Sequence, residues 1–249
     1  MGSLFHAELL KARSARTLRG LTISLALLVV LVVLLHTLKL PLANVTGRSH
    51  QLEVYGWGTV LGALFAALAG GIQTTMEFRY GTIRTTFLVT PNRLRVIAAK
   101  VAASALLGFI IGLIAEALAA VTGSIGFSAR GVHIALDAGN FALLIAGGAV
   151  AAALCAAIGV GVGTAVRAQV PTLVGIAVWM ILLETLLLSF IPSVGRFGPT
   201  SAAGALAGAS SGAATTKLLA PAAGAAMLLV WVALSLAAGL RAILDRDVA

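Results

Sequence analysis

The chain has 249 residues, of which 60% are apolar and only 10% are charged, and its formal net charge is +9. Soluble domains contain about 25% charged residues, so the composition excludes an ordinary soluble domain and indicates an integral membrane protein. In such a protein a basic surplus is typical of loops that face the cytoplasm and anionic lipid, and we expect no nucleic-acid partner.

Residues 3–17 predict a short amphipathic helix at the membrane surface. Phe5, Leu9 and Leu10 fall near one helical face, and the basic residues fall mostly elsewhere. This pattern is typical of a helix that lies on an anionic leaflet. The alternatives are a plain basic flank of the first span or a signal peptide; the length of the apolar run and the spans that follow it argue against the signal peptide.

Six apolar runs are long enough to cross a bilayer, which requires about 20 residues. The predicted spans are residues 18–38, 56–76, 94–120, 139–166, 171–190 and 221–240. Small residues recur every four positions in the second, third and fourth spans, and such faces let helices approach closely. The weakly apolar residues 191–220 predict an extracellular loop, a re-entrant segment or short helices.

The distribution of positive charge predicts the orientation of the spans. Six spans place both termini on one side, and 12 of the 17 lysines and arginines fall on that side. By the positive-inside rule, both termini and the loop of residues 77–93 are therefore cytoplasmic. The predicted fold is a single all-α, multi-pass membrane domain covering residues 1–249.

The loop of residues 77–93 opens the one densely charged stretch between two long apolar runs. Phe78 and two further apolar residues could anchor a short helix parallel to the membrane, with aromatic side chains that enter a groove on a partner protein. Arg79 and Arg84 could pair with acids on that partner. The alternative is an ordinary basic loop.

The sequence contains no motif for nucleotide binding or catalysis. A P-loop requires a lysine after a glycine, and none of the four lysines follows one. If ATP drives this protein, another chain must supply the ATPase. The string Gly208-Ala-Ser-Ser-Gly212 matches a hydrolase motif, but no histidine follows His133. The histidines lack metal-site spacing, and the single cysteine, Cys155, excludes an internal disulfide.

Two acids, Glu116 and Glu184, lie within predicted spans. A charged residue at the centre of a membrane helix costs about 2.5–3.5 kcal/mol on insertion scales, so each should face the bundle or a water-filled cavity. They could line a cavity for a polar or cationic substrate. Alternatively, each could form a structural pair with a nearby hydroxyl group or remain neutral.

Several short motifs resemble those of the ABC-2 type transporter permeases. Glu77, Gly81-Thr82, the turn of residues 90–93 and Ala99-Lys100 are similar to the signature that follows the second span in that family. The opening residues 6–13 and the tail residues 244–248 resemble those of small bacterial members.

This resemblance implies a type V exporter fold, in which the N-terminal segment is a connecting helix. The loop after the second span is then a coupling helix that docks on an ATPase subunit. Its coupling residues would be Glu77, Phe78, Arg79, Tyr80, Gly81, Thr82 and Arg84. Two permease chains, identical or related, would work with two ATPase chains in the bacterial plasma (inner) membrane. ATP and Mg would bind only to the ATPase chains, so this chain would not itself be an enzyme.

Two other classes of function stay open on the sequence. An ion-coupled secondary transporter would use Glu116 and Glu184, and its flux would require a proton gradient rather than ATP. The other class is non-transporting: a membrane enzyme, or a sensor whose cytoplasmic loop binds a regulator. The lack of a convergent catalytic set in the sequence argues against the enzyme. The sequence does not select a substrate among drugs, peptides and lipids.

Overall fold

All regular secondary structure in the described part of the chain is helical, as the sequence predicts. The structure is a computed structural model that describes residues 2–39, 46–83, 88, 92–209 and 218–245. Its helices are α1 (Gly2–Ser14), α2 (Arg16–Lys39), α3 (Arg48–Arg79), α4 (Arg93–Ala129), α5 (Ala138–Val166), α6 (Gln169–Phe190), α7 (Pro192–Gly195), α8 (Pro199–Leu206) and α9 (Pro221–Asp245).

Six of these helices, α2 to α6 and α9, are long and apolar enough to cross a membrane. A bilayer core requires about 20 residues at a rise of 1.5 Å per residue. This finding confirms the prediction of a multi-pass membrane protein with six spans.

Helices α3 and α4 extend well beyond the predicted spans 56–76 and 94–120. Hydropathy identifies only the residues that are apolar enough for the hydrocarbon core of the bilayer. A helix can continue beyond them for as long as its backbone hydrogen bonds are satisfied. Between the predicted third and fourth spans, only a short connection after Ala129 is therefore not helical. Asp137 ends this connection by capping α5 through a reciprocal pair of hydrogen bonds with Asn140.

Helix α3 forms the centre of the bundle. In its most apolar stretch 72% of residues are buried, against 22% for α2 and 17% for both α6 and α9. It packs most extensively on α5 and α4. The other spans surround this three-helix core and leave wide apolar faces exposed, as expected of helices that contact lipid or another membrane chain.

Glycines bring the backbones of the three core helices into direct contact. A Cβ atom on Gly108 of α4 would lie 2.6 Å from the carbonyl oxygen of Ala152 on α5. A Cβ atom on Gly70 of α3 would overlap the carbonyl oxygen of Ala156 on α5. The small-residue faces predicted from the sequence therefore lie where helices approach most closely.

The segment 191–220 contains short helices in its described part. Helices α7 and α8 follow directly after α6, and Ser201, Ala202, Ala203 and Ala205 of α8 are buried against the bundle. Residues 191–206 therefore contain short helices, and the placement of the segment relative to the membrane stays a prediction.

We expect Gly70→Ala to destabilise the protein, although alanine favours helix formation by up to about 1 kcal/mol. The new methyl group would meet a backbone carbonyl, which cannot rotate away, and overpacking of this kind costs about 1–3 kcal/mol. The measurement is the free energy of unfolding in mixed detergent micelles. Gly20→Ala in α2 is the matched control, because a Cβ atom there meets nothing within 4 Å; equal stability of the two variants would contradict the prediction.

Candidate functional site

Five helices, α1, α3, α4, α6 and α9, meet at one end of the bundle, which we call the basic end. The Arg93 guanidinium at the start of α4 donates a hydrogen bond of 3.0 Å to the carbonyl oxygen of Ile243 near the end of α9. The Arg167 guanidinium, just before α6, donates to the neighbouring carbonyl oxygen of Ala242. Helix α1 and the end of α3 join them through charged side chains. The first and last helices therefore reach the same end, as six spans require.

Four charged side chains, Glu8, Lys11, Glu77 and Lys100, form a closed ring at this end, here called the four-charge network. The Lys100 Nζ atom lies 2.5 Å from Glu8 Oε2 and 2.9 Å from Glu77 Oε1. The Lys11 Nζ atom lies 2.7 Å from Glu8 Oε1 and 2.9 Å from the same Glu77 Oε1. Each lysine thus bridges both glutamates, and the network joins α1, α3 and α4.

Burial makes this network energetically important. Lys100 is 3% exposed, and Glu8 and Glu77 are each 6% exposed. Removing a charge from water is costly, and only opposite charges in good geometry offset that cost. The network supplies two charges of each sign, so it is balanced as a unit, and loss of any one member leaves an uncompensated charge in the protein.

The pKa values of the two α1 residues reflect this mutual support. Burial by itself would raise the pKa of Glu8, but the charge of Lys100 and hydrogen bonds from both lysines outweigh it and hold the pKa below its ordinary value. Burial would likewise lower the pKa of Lys11, but hydrogen bonds to Glu8 and Glu77 raise it above the ordinary value. Both side chains are therefore charged at neutral pH.

The predicted coupling residues divide between the network and the surface. Helix α3 continues through Arg79, so Glu77 and Phe78 belong to a helix rather than to a loop that starts at residue 77. Glu77 is buried in the four-charge network. Phe78 is partly buried, with the Arg167 guanidinium 5.6 Å from the centroid of its ring.

The other described coupling residues form an exposed turn of residues 79–82. The Arg79 guanidinium donates a hydrogen bond of 3.1 Å to Gln169 Oε1 on α6 and lies 5.7 Å from the centroid of the Tyr80 ring. Tyr80 is 65% exposed. Gly81 ends the helix with a φ of +69°, a conformation that favours glycine, and Thr82 is exposed. Arg84 lies outside the described residues.

Glu116 lies in the three-helix core, where it is 2% exposed. Its Oε1 atom accepts a hydrogen bond of 2.5 Å from the Thr59 hydroxyl on α3. The absence of side chains at Gly58 and Gly148 makes room for the carboxyl group, since a Cβ atom at either position would crowd it. The geometry matches the structural pair with a hydroxyl group that the sequence offered as one alternative.

Glu184 of α6 caps a neighbouring helix. Its carboxyl oxygens accept hydrogen bonds from the backbone N–H groups of Thr200, at 3.0 Å, and Ser201, at 2.5 Å. These are the second and third residues of α8, whose N–H groups have no partner within the helix. Glu184 thus ties α8 to α6 at the point where α6 contains a π-helical turn, Val178–Leu183.

An apolar cavity of about 360 Å³ lies between α3, α5, α6 and α9. Trp179 and Trp231 form one wall, with ring centroids 5.7 Å apart in an edge-to-face arrangement. Neither Glu116 nor Glu184 lines this cavity. Their use as cavity residues stays a prediction.

The sequence did not indicate that Glu8, Lys11 and Lys100 would meet Glu77. Two signals were present in the sequence. Glu8 and Lys11 are three residues apart, a spacing that allows a pair on one helix, and Lys100 comes directly before a long apolar run. Neither signal identifies a partner on another helix.

Comparisons with known proteins add no family to these observations. A search against models of known protein families found no match, and neither did a search of curated proteins. The resemblance to ABC-2 permeases rests on the motifs alone.

We expect Lys100→Met to destabilise the protein by about 3–5 kcal/mol, because it leaves two glutamates with one lysine in a buried site. Lys11→Met should cost less, since its side chain is 46% exposed and its ion pairs are partly screened. The measurement is the free energy of unfolding in mixed micelles. The double variant Lys100→Met with Glu8→Gln, which restores charge balance, should be more stable than Lys100→Met alone; a simple sum of the two losses would contradict the prediction.

The network should also make stability fall at acidic pH. Because the pKa of Glu8 is lower in the folded protein than in the unfolded chain, its contribution to stability is complete above the unfolded-state pKa, about 4.3. That contribution is lost as the pH falls through the folded-state pKa. Melting temperatures measured from pH 7 to pH 3 should show a drop that is smaller in Glu8→Gln; identical profiles would exclude this role for Glu8.

Proposed function

We propose that this chain is the membrane-spanning permease subunit of an ATP-binding-cassette exporter, which moves its substrate outward with energy from ATP hydrolysed by a separate chain. The observation that carries the proposal is the four-charge network. Its member Glu77 lies next to the exposed turn of residues 79–82, and the network joins helices α1, α3 and α4.

The exposed turn offers what a docking contact needs. Arg79 presents a positive charge and Tyr80 presents an aromatic ring, and aromatic and arginine side chains are typical anchors at protein interfaces. Glu77 lies only two residues before Arg79, on the last turn of α3. A force on the turn therefore acts on a residue that is bonded directly to Lys11 of α1 and Lys100 of α4.

The core then provides a path from this end into the membrane. Helix α3 is the most buried span and meets α4 and α5 through glycine and alanine. Contacts without bulky side chains allow helices to shift along each other without unlocking interdigitated rotamers. In this proposal, closure of the ATPase pair moves α3 relative to α5 and switches the access of a cavity from one side of the membrane to the other.

The remaining parts of the proposal follow from the motif resemblance and the charge distribution. The basic end faces the cytoplasm of a bacterial cell, where the ATPase chains bind, and a second permease chain packs on exposed apolar faces of the spans. The chain contains no P-loop, so ATP and Mg belong to the ATPase subunits.

The most direct test is to purify the chain from its native host in mild detergent and to identify the proteins that accompany it by mass spectrometry. We expect an ABC ATPase in equal amount and ATPase activity in the complex. A chain that purifies without an ATPase, and whose transport in vesicles ignores ATP but requires a proton gradient, would overturn the proposal.

Arg79→Glu should weaken binding of the ATPase subunit at least tenfold, which corresponds to about 1.4 kcal/mol, because it reverses the charge of the exposed turn. The melting temperature should change little, since Arg79 is exposed. Arg48→Glu is the matched control, because Arg48 is an exposed arginine at the other end of the same helix. Equal ATPase binding by both variants, measured by pull-down titration, would rule out the turn as the docking site.

A further inference from the structure

A cleft of about 230 Å³ opens beside the four-charge network, between α1, the start of α2 and the last two turns of α3. Most of its wall is apolar and includes Ala12, Ala15, Leu18 and Met76. Its polar part is formed by three members of the network, Glu8, Lys11 and Glu77, together with Gln73, Tyr80 and Thr82. The cleft thus combines an apolar lining with a small, charged floor.

Two enclosed polar atoms of residues that line the cleft have no hydrogen-bond partner among the described residues, Glu77 Oε2 and Gln73 Nε2. The other oxygen of Glu77 accepts from both lysines, and Gln73 Oε1 accepts a hydrogen bond of 3.1 Å from the Ser104 hydroxyl. Glu77 and Gln73 are four residues apart on α3 and so lie on one face. Buried polar atoms without partners are unfavourable, so the cleft is suited to a ligand that donates to the carboxylate and accepts from the amide.

The charge of the cleft narrows the choice of ligand. The two glutamates and two lysines of the network sum to zero, so a ligand with a net charge would leave that charge unbalanced. A zwitterion satisfies both conditions, because its ammonium group can donate to Glu77 Oε2 and its phosphate can accept from Gln73 Nε2.

The surroundings indicate a lipid rather than a soluble zwitterion. A second, apolar groove of about 260 Å³ lies on the same two helices, α2 and α3, and is completed by α6. It is lined by Leu21, Leu68 and Ile72, which lie up to two turns further along these helices than Leu18 and Gln73, away from the basic end. An acyl chain attached to a headgroup in the cleft would therefore have an apolar groove in which to lie.

We propose that the cleft and the groove together bind one phospholipid whose zwitterionic headgroup carries a primary ammonium group, as in phosphatidylethanolamine. The headgroup lies against Glu77 and Gln73, and one acyl chain follows the groove between α2, α3 and α6. The lipid would then fill the space between α1 and the bundle and support the four-charge network from its open side. This site does not depend on the proposed transport activity.

The test compares phosphatidylethanolamine with phosphatidylcholine of the same acyl chains, by native mass spectrometry of the detergent-solubilised protein and by melting temperature after addition of each lipid. The trimethylated headgroup of phosphatidylcholine keeps the phosphate but has no N–H group to donate. We expect phosphatidylethanolamine to bind at least tenfold more tightly than phosphatidylcholine and than anionic phosphatidylglycerol. Equal binding of all three lipids would overturn the proposal, and this comparison needs no variant.

Gln73→Leu should weaken the binding of phosphatidylethanolamine at least tenfold and that of phosphatidylcholine by a similar factor, because Gln73 contacts the phosphate that both headgroups contain. Gln169→Leu is the matched control, because it makes the same change at the basic end without touching the cleft. An unchanged affinity for phosphatidylethanolamine in Gln73→Leu would place the lipid elsewhere. Free phosphoethanolamine should not bind measurably at the concentration at which phosphatidylethanolamine saturates the protein. If it binds as tightly as the lipid does, the ligand is a soluble zwitterion instead.

Discussion

The buried four-charge network is the constraint on which the basic end of this protein depends. Glu8, Lys11, Glu77 and Lys100 are favourable only together, because each buried charge is tolerated only next to charges of the opposite sign. Helix α1 cannot leave the bundle without exposing Lys100 and Glu77 to an environment that no longer balances them. A surface helix, which a membrane interface alone would hold loosely, is thereby attached to two membrane spans.

Helix α3 belongs both to the three-helix core and, through Glu77, to the basic end. At its end, α3 carries Glu77 and the exposed turn, and in its middle it packs backbone to backbone on α5 at Gly70. The network holds α3 through buried ion pairs, whereas at Gly70 the backbone of α3 lies directly against α5 without interlocking side chains. In the proposed exporter, α3 would use both kinds of contact to pass motion from the basic end into the membrane. The two intramembrane acids lie outside this network, and each accepts hydrogen bonds from a neighbouring helix, Glu116 from Thr59 of α3 and Glu184 from the first turn of α8.

Hydropathy was sufficient to predict the six spans, the helical class and the close faces of small residues, because these depend on local composition and period. It did not indicate how far α3 and α4 extend beyond the apolar spans, because helices continue past the apolar run into polar sequence. The motifs around Glu77 predicted that Glu77 would lie in a surface loop. The structure buries it against Lys11, 66 residues away, and Lys100. Pairings between distant positions are set by how helices pack, and no single-sequence pattern contains that information.

The attachment of α1 can be measured directly by hydrogen exchange of its backbone amides in detergent, with Lys100→Met compared to the unmodified chain. The account predicts slow exchange across residues 2–14 in the unmodified protein and much faster exchange there in Lys100→Met, with the protection of α3 and α5 retained. Protection of α1 that is equally strong in the variant would show that the four-charge network does not hold this helix, and would remove the basis for the proposed passage of motion to the spans.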